Sequence, residues 1–268
     1  MILTGAGGPE KFQTGFTHLV RKAIDAVIDA PHTGRFTLDE IEKTEKTYLG
    51  TKIEILFRNL IKASKGKILD LDLNGTEVDI KNTIGKQWSI PPEALNHPCV
   101  LIRSSERLAE CSVGLIVIRR ELLNPGKNRD EKSSISKAGM GSIRWMLLDA
   151  PYPKNFWEFL EPPIRHEITT PVGGTNRLIA LFQRVQRTPI SRAVVESLAQ
   201  QKDSLKRIRK NGGARDQLAR EGIAVLWGRK DRALIAELGL SACDNDQFIA
   251  YQPQDLAHIE RLRNVGHL

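Results

Sequence analysis

Apolar residues recur at helical spacing in some stretches of this chain and alternate in others, and the change of period marks out its elements. In TEKTYLGTKIEILFRNLIKAS at 44–64, Ile53, Leu56, Phe57, Leu60 and Ile61 fall on one face of a 3.6-residue period, which predicts a helix whose apolar run Glu54 interrupts. In KILDLDLNGTEVDIKNT at 67–83, two short alternating runs flank Asn74-Gly75, a dipeptide suited to the left-handed backbone of a two-residue turn, so a β-hairpin is predicted. Side chains alternate along a strand, so Val78 and Ile80 share one face while Glu77, Asp79 and Lys81 share the other. In the first strand Leu69, Leu71 and Leu73 oppose Asp70 and Asp72. The polar faces of the two strands therefore meet, and they are rich in carboxylates.

The helical period returns in the last third. TNRLIALFQRVQR at 175–187 places Leu178, Leu181, Phe182 and Val185 on one face. After Thr188-Pro189, ISRAVVESLAQQ predicts a second helix opened by a proline suited to the first turn. DSLKRIRK at 203–210 predicts a third, with Asp203 or Ser204 as N-cap and Leu205 and Ile208 buried, closed by Asn211-Gly212-Gly213. ARDQLAREG predicts a short fourth helix, and IAVLW at 223–227 a strand. Short helices with tight turns followed by a strand describe a winged helix-turn-helix.

Composition limits the classes. With 268 residues, 40% hydrophobic and 27% charged, the chain suits a folded protein of one large or two modest domains. No stretch reaches the ~18 uninterrupted apolar residues of a spanning helix, and MILTGAGGPEKF lacks the layout of a secretory signal. Three widely spaced cysteines and six scattered histidines suggest neither a disulfide framework nor a zinc site, and a cytoplasmic protein without a membrane partner or small-molecule cofactor is expected. The Gly-Ala-Gly-Gly run at 5–8 lacks a following Lys-Ser/Thr and leads to no clear helix, so it is not read as a phosphate loop.

Charge is unevenly placed. Residues 1–162 hold 23 Lys+Arg and 21 Asp+Glu, a net of +2, whereas residues 163–268 hold 17 and 11, a net of +6, out of +8 in all. Pro151-Tyr152-Pro153, an aromatic run and Pro171-Val172-Gly173-Gly174 mark 150–174 as a connection between two domains, 1–162 and 163–268. Between Lys202 and Arg215 stand six basic residues and one acid, Asp203. Lys202, Lys206, Arg207, Arg209 and Lys210 could follow DNA phosphates, with Gly212, Gly213 and Arg215 bringing a turn close to another; the same residues also suit a solvated helix face.

The hairpin carries candidate chemistry. Carboxylates held together repel unless a cation lies between them, and Asp70 with Asp79 suits Mg2+, which takes a few carboxylates plus waters and phosphate oxygens. Lys81, two residues from Asp79 on the same face, completes Asp-x8-Asp-x-Lys, within the loose PD-(D/E)xK pattern of metal-dependent nucleases. An exposed hairpin face with weak cross-strand ion pairs would have the same residues.

Four segments taken together go further. TGRFTLDEIEKTEKTYLGTKIEI at 33–55, EVDIK with the upstream Asp70, IPPEALNHPCVLI at 90–102 and ISRAVVESLAQQKDSLKRIRKNGGARDQLAREGIAVL at 190–226 resemble, in order, the NaeI type II restriction endonucleases. The resemblance implies an α/β fold: an N-terminal restriction-endonuclease-like domain, a mixed sheet flanked by helices and related to the mismatch-repair nickase MutH, and a C-terminal, mainly helical winged helix-turn-helix effector domain. It implies a homodimer that cuts a palindrome in double-stranded DNA, activated by a second copy of the site. Carried across by motif, Glu54, Asp70, Asp79 and Lys81 are catalytic, with Glu54, Asp70 and Asp79 as Mg2+ ligands, while Asp72 and Glu77 fall at non-catalytic positions. Residues 231–268 show no clear likeness. The expected reaction is Mg2+-dependent hydrolysis leaving 5′-phosphate ends; a MutH-like nickase and a non-catalytic winged-helix regulator are the alternatives.

Overall fold

The structure, a computed structural model, describes residues 1–126, 128–200, 204–208 and 212–268, with the side chains of 204 and 205 excepted. The chain divides into two units: residues 1–28 with 37–155, and residues 29–36 with 156–268. Among the described residues no helix is long and apolar enough to cross a membrane.

In the first unit α1 (Ile2–Gly5) leads directly into α2 (Pro9–Ile28), a 20-residue helix. The glycine run at 5–8 therefore does open onto a helix, contrary to the sequence expectation. Its apolar stripe, Phe12, Phe16, Leu19, Val20, Ala23, Ile24 and Val27, is interleaved with polar residues, and Pro9 at its start lacks only an N–H that no helix start uses. A four-residue α3 (Ala30–Thr33) belongs to the second unit. Helix α4 (Lys43–Ile61) follows, opened by reciprocal capping between Glu42 and Glu45 and ended by Lys62 in the left-handed conformation, φ 55°. It buries Leu49, Ile53, Phe57 and Ile61, one residue per turn, and the Phe57 ring meets Phe12 and Phe16 edge-on at 6.3 and 6.0 Å.

Behind these helices lies a mixed five-stranded sheet in the order β1-β2-β4-β5-β7, with β1 Leu71–Leu73, β2 Thr76–Thr83, β4 Pro98–Ser105, β5 Glu110–Val117 and β7 Arg144–Pro151. Among the described residues of this sheet only β2 and β4 pair in parallel; β3 (Ser89–Ile90) and β6 (Ser133–Ser134) form a separate short pair, and α5 (Lys137–Gly141) precedes β7. The predicted hairpin is present, with Leu71 opposite Val78 and Asp72 opposite Glu77. Asn74 and Gly75 have φ of 56° and 86°, as a two-residue turn of this hand requires. On one face of the sheet Cys99, Leu101, Ile116 and Ile118 join Trp88, Ile90 and Ile135 in a buried cluster.

The second unit contains α6 (Pro162–Thr169), α7 (Gly174–Arg184), β8 (Ile190–Ser191), α8 (Arg192–Ala199), α9 (Ala214–Arg220), β9 (Ala224–Trp227), α10 (Arg232–Glu237), β10 (Gln247–Tyr251) and α11 (Leu256–Asn264). An antiparallel sheet runs β8-β10-β9. Two local expectations are corrected. Pro189 does not open the second helix, because Ile190 and Ser191 pair with β10 and the Ser191 hydroxyl accepts from Val194 N–H as the N-cap. The described part of 203–210 is a 3-10 turn at Ser204–Arg207, not an α-helix, although Ile208 is buried as expected. Residues 231–268 supply β10 and most of an apolar cluster that includes Leu226, Leu234, Ile235, Ile249, Tyr251 and Leu262.

Candidate active site

The hairpin brings three of the four sequence-derived catalytic residues together, and α4 supplies the fourth. Asp70 directly precedes Leu71 and Asp79 directly follows Val78, the last pair of the hairpin, and the backbone N–H of Ile80 donates to Asp70 Oδ2 at 2.8 Å. Lys81 Nζ lies 2.7 Å from Asp79 Oδ1 and 3.9 Å from Asp70 Oδ2, so one ammonium bridges two carboxylates. Asp79 is only 4% exposed because β2 is an inner strand, paired with β1 on one side and, through Cys99, with β4 on the other.

Helix α4 addresses the same place through residues one turn apart. Glu54 contributes its charge, and the Arg58 guanidinium donates to the backbone carbonyl of Asp70 at 2.9 Å. Arg58 was absent from the sequence-derived set; its position four residues from Glu54, on the same helical face, was the available signal. Glu77 has a structural role: its carboxylate accepts from the backbone N–H groups of Lys67, Ile68 and Leu69 at 2.7, 3.0 and 2.6 Å, which anchors the segment leading to Asp70. Asp72 Oδ1 accepts from Gly75 N–H at 2.7 Å and serves the turn.

The electrostatics follow from this crowding. Burial, then the negative charges of Asp70 and Asp79, pushes the Glu54 carboxyl up to about 7, against the pull of Lys81 and Arg58. Burial and contact with Asp70 push Asp79 up to about 6, with Lys81 opposing. The acidic neighbours raise the Lys81 ammonium above its ordinary value despite burial, so it stays charged at neutral pH.

The residues fit a hard divalent cation. Among the described residues Asp79 Oδ2 is buried without a hydrogen-bond partner, an oxygen open to a cation. Among the described residues no three His, Cys, Asp or Glu side chains converge closely enough to form a complete cage. Mg2+ needs no such cage, since it binds through one or two carboxylates and keeps waters and substrate phosphate for its remaining positions.

The candidate DNA-binding residues of the second unit are placed less uniformly. Lys202, Arg209 and Lys210 lie outside the described residues, as do Asp203 and Asn211. Lys206 is exposed and Arg207 partly exposed on the 3-10 turn. Gly212 N–H already donates to Asp216 Oδ2 at 2.6 Å, and Gly213 is buried as the N-cap of α9. Arg215 lines a cavity of about 130 Å3 with His267 and Leu268, and among the described residues its buried Nε has no hydrogen-bond partner.

Known proteins share this sequence pattern. A family model described as restriction endonuclease NaeI matches residues 13–257. The chain is 31% identical over 241 residues to the type II restriction enzyme NaeI of Lentzea aerocolonigenes, an alignment covering 87% of this chain and 76% of that protein.

Proposed function

The chain belongs to the NaeI family of restriction endonucleases, hydrolases that cut double-stranded DNA at specific sites, and from that premise we propose that Asp70, Asp79, Lys81 and Glu54 make its cut with Mg2+. The observation that carries this reading is the buried, unpartnered Asp79 oxygen beside Asp70, with the Lys81 ammonium 2.7 Å from the other oxygen of Asp79. Asp79 and Asp70 would hold the ion, with Glu54 as a further oxygen donor. When bound, Mg2+ lowers the pKa of its water and polarises the phosphoryl oxygen.

The chain's own residues do the rest. Water attacks phosphorus in line with the bond to the 3′-oxygen; that bond breaks, a P–O bond to the attacking oxygen forms, the proton the water gives up to solvent balances the one the leaving 3′-oxygen takes from it, and the products are a 5′-phosphate and a 3′-hydroxyl. Lys81, charged and tethered to Asp79, stabilises the negative charge that accumulates on the phosphate and orients the water. Its raised pKa favours this role over that of a general base. Arg58, through the Asp70 carbonyl, and Glu77, through the 67–69 backbone, fix the strand that presents Asp70.

Within the same proposal the unit containing residues 163–268 is a winged helix-turn-helix that binds a second DNA copy. The order α7-β8-α8-α9-β9-α10-β10 and the sheet β8-β10-β9 support it, with Lys206 and Arg207 exposed to different extents in the segment between α8 and α9. Lys202, Arg209, Lys210, Gly212, Gly213 and Arg215 remain its other proposed contacts, and a homodimer would cut both strands of a palindrome.

Plasmid cleavage tests the assignment. Asp79→Ala and Lys81→Ala should abolish Mg2+-dependent cutting while the proteins still retard a duplex in a gel without metal. Wild-type cutting by either variant would overturn it.

A further inference from the structure

Along α4 the positions Lys43, Lys46, Thr47, Gly50, Thr51 and Glu54 recur at intervals of three and four residues, so they form one stripe on the helix surface. That stripe is one wall of a groove of about 550 Å3, whose other side includes Lys81 and Asn82 of β2 together with Lys132. Glu54 is the last of the helix positions in the groove, which therefore leads from the catalytic cluster toward the start of α4. A rise of 1.5 Å per residue puts Lys46 about 12 Å and Lys43 about 16 Å up the helix from Glu54. That span corresponds to roughly three to five base pairs at 3.4 Å each along a duplex axis.

The charge and the clearance suit a polyanion. Four lysines line the groove, Lys43, Lys46, Lys81 and Lys132, against two carboxylates, Glu54 and Glu93. Lys81 is committed to Asp79, but among the described residues the ammonium groups of Lys43, Lys46 and Lys132 pair with no carboxylate. Gly50 keeps the helix wall low: a Cβ there would meet only Asn82 Cβ, at 3.9 Å, so a side chain is sterically allowed and would project over the β2 wall. None of these residues except Glu54 and Lys81 has a role in the cutting chemistry.

We propose that this groove seats the cleaved strand on one side of the scissile phosphate, with Lys43, Lys46 and Lys132 each neutralising a backbone phosphate and Gly50 giving the sugar–phosphate chain room to pass. The inference rests on the catalytic assignment above. Phosphate contacts of this kind position the duplex without reading its sequence. They belong to binding, in contrast to Lys81, whose charge acts on the reacting phosphate.

The test uses the full chain as Lys46→Ala, Lys43→Ala/Lys46→Ala, Lys132→Ala and Gly50→Leu, with cleavable duplexes in which single phosphates near the cut are replaced by uncharged methylphosphonates. Each lysine variant should raise KM about tenfold, change kcat less than about threefold, and flatten the dependence of log affinity on log salt by about 0.9 per lysine removed. Each should also be insensitive to the methylphosphonate at its own phosphate, a substitution that raises KM for the wild type. Gly50→Leu should raise KM without changing the salt slope and without lowering the melting temperature, since Leu favours the helix more than Gly does. Unchanged KM in the double lysine variant, or fully additive effects of every lysine and every phosphate substitution, would overturn the assignment. Asp79→Asn assayed in parallel separates the two readings. If it still cuts, the catalytic assignment fails; if it is inactive while the lysine variants behave as wild type, only the groove fails.

Discussion

Replacing Glu54 by Gln should make the metal-free protein more stable at pH 8 and inactive in cleavage. The Glu54 carboxyl, pushed from its ordinary 4.5 to about 7, holds a proton in the folded state that the unfolded chain has already lost. Stability therefore falls as pH rises through 4.5 to 7, is lowest above 7, and is unaffected by this group below 4.5, where both states are protonated. At about 1.4 kcal/mol per tenfold change, the displacement corresponds to about 3 kcal/mol in a sealed site. Glu54 is partly exposed, and screening reduces this to about 1–2 kcal/mol. Gln preserves the shape and removes the charge. Denaturant unfolding of both proteins in EDTA at pH 5, 6.5 and 8, followed through the transition of the first unit, should show a gain of about 1–2 kcal/mol at pH 8 that shrinks toward pH 5. Adding Mg2+ at pH 8 should stabilise the wild type more than Glu54→Gln. A loss of stability at pH 8, or a gain that does not change with pH, would refute the electrostatic account of this site.

Two further outcomes test parts of the molecule outside the cutting chemistry. Arg21 is buried between Asp25 and Glu106, each at 2.7 Å, and Tyr152 donates to Glu106 at 2.6 Å; Arg21→Ala strands two acids and should cost about 3–5 kcal/mol, whereas Tyr152→Phe should cost about 1–2 kcal/mol, both measured by urea unfolding at pH 7. In the second unit, neutralising Lys206 and Arg207 together should weaken DNA binding across unrelated sequences and flatten its salt dependence by about 1.8 in log–log slope, read by fluorescence anisotropy at a series of salt concentrations.

What could be read from the sequence was local. Asn74-Gly75 determines a turn through its own backbone preferences, and the alternation on either side then fixes which residues face Asp79; no distant partner is needed. The stripe Ile53, Phe57 and Ile61 likewise defines the buried side of α4 and leaves Glu54 toward the site. The rest of the sheet depended on partners far along the chain. Val100, Leu101 and Ile102 form a continuous apolar run, buried on both faces, whose pattern suits helix or strand equally; only pairing with β2 and β5 decides it. Ile190 and Ser191 read as the start of a helix because their strand partners, Phe248 and Gln247, are more than fifty residues away. Arg21 in the middle of an apolar helix face could not be recognised as buried without Glu106. Asp70, Asp79 and Lys81 could be grouped because a single turn brings them together, whereas for Arg58 the helical spacing from Glu54 gave only a face, and its hydrogen bond to the Asp70 carbonyl supplied the role.

That single turn also has a bearing on how the protein folds. Closure of a two-residue hairpin takes on the order of microseconds and needs only a short loop, whereas the parallel β2–β4 contact encloses the β3 segment and carries a larger entropy of closure. The two aspartates thus meet in one of the earliest contacts available to the chain, before the neighbouring strand can exclude water from Asp79. Their repulsion is first met in a solvated hairpin, where it is weak and Lys81 is already at hand, and it strengthens only as the surrounding sheet assembles and holds it in place.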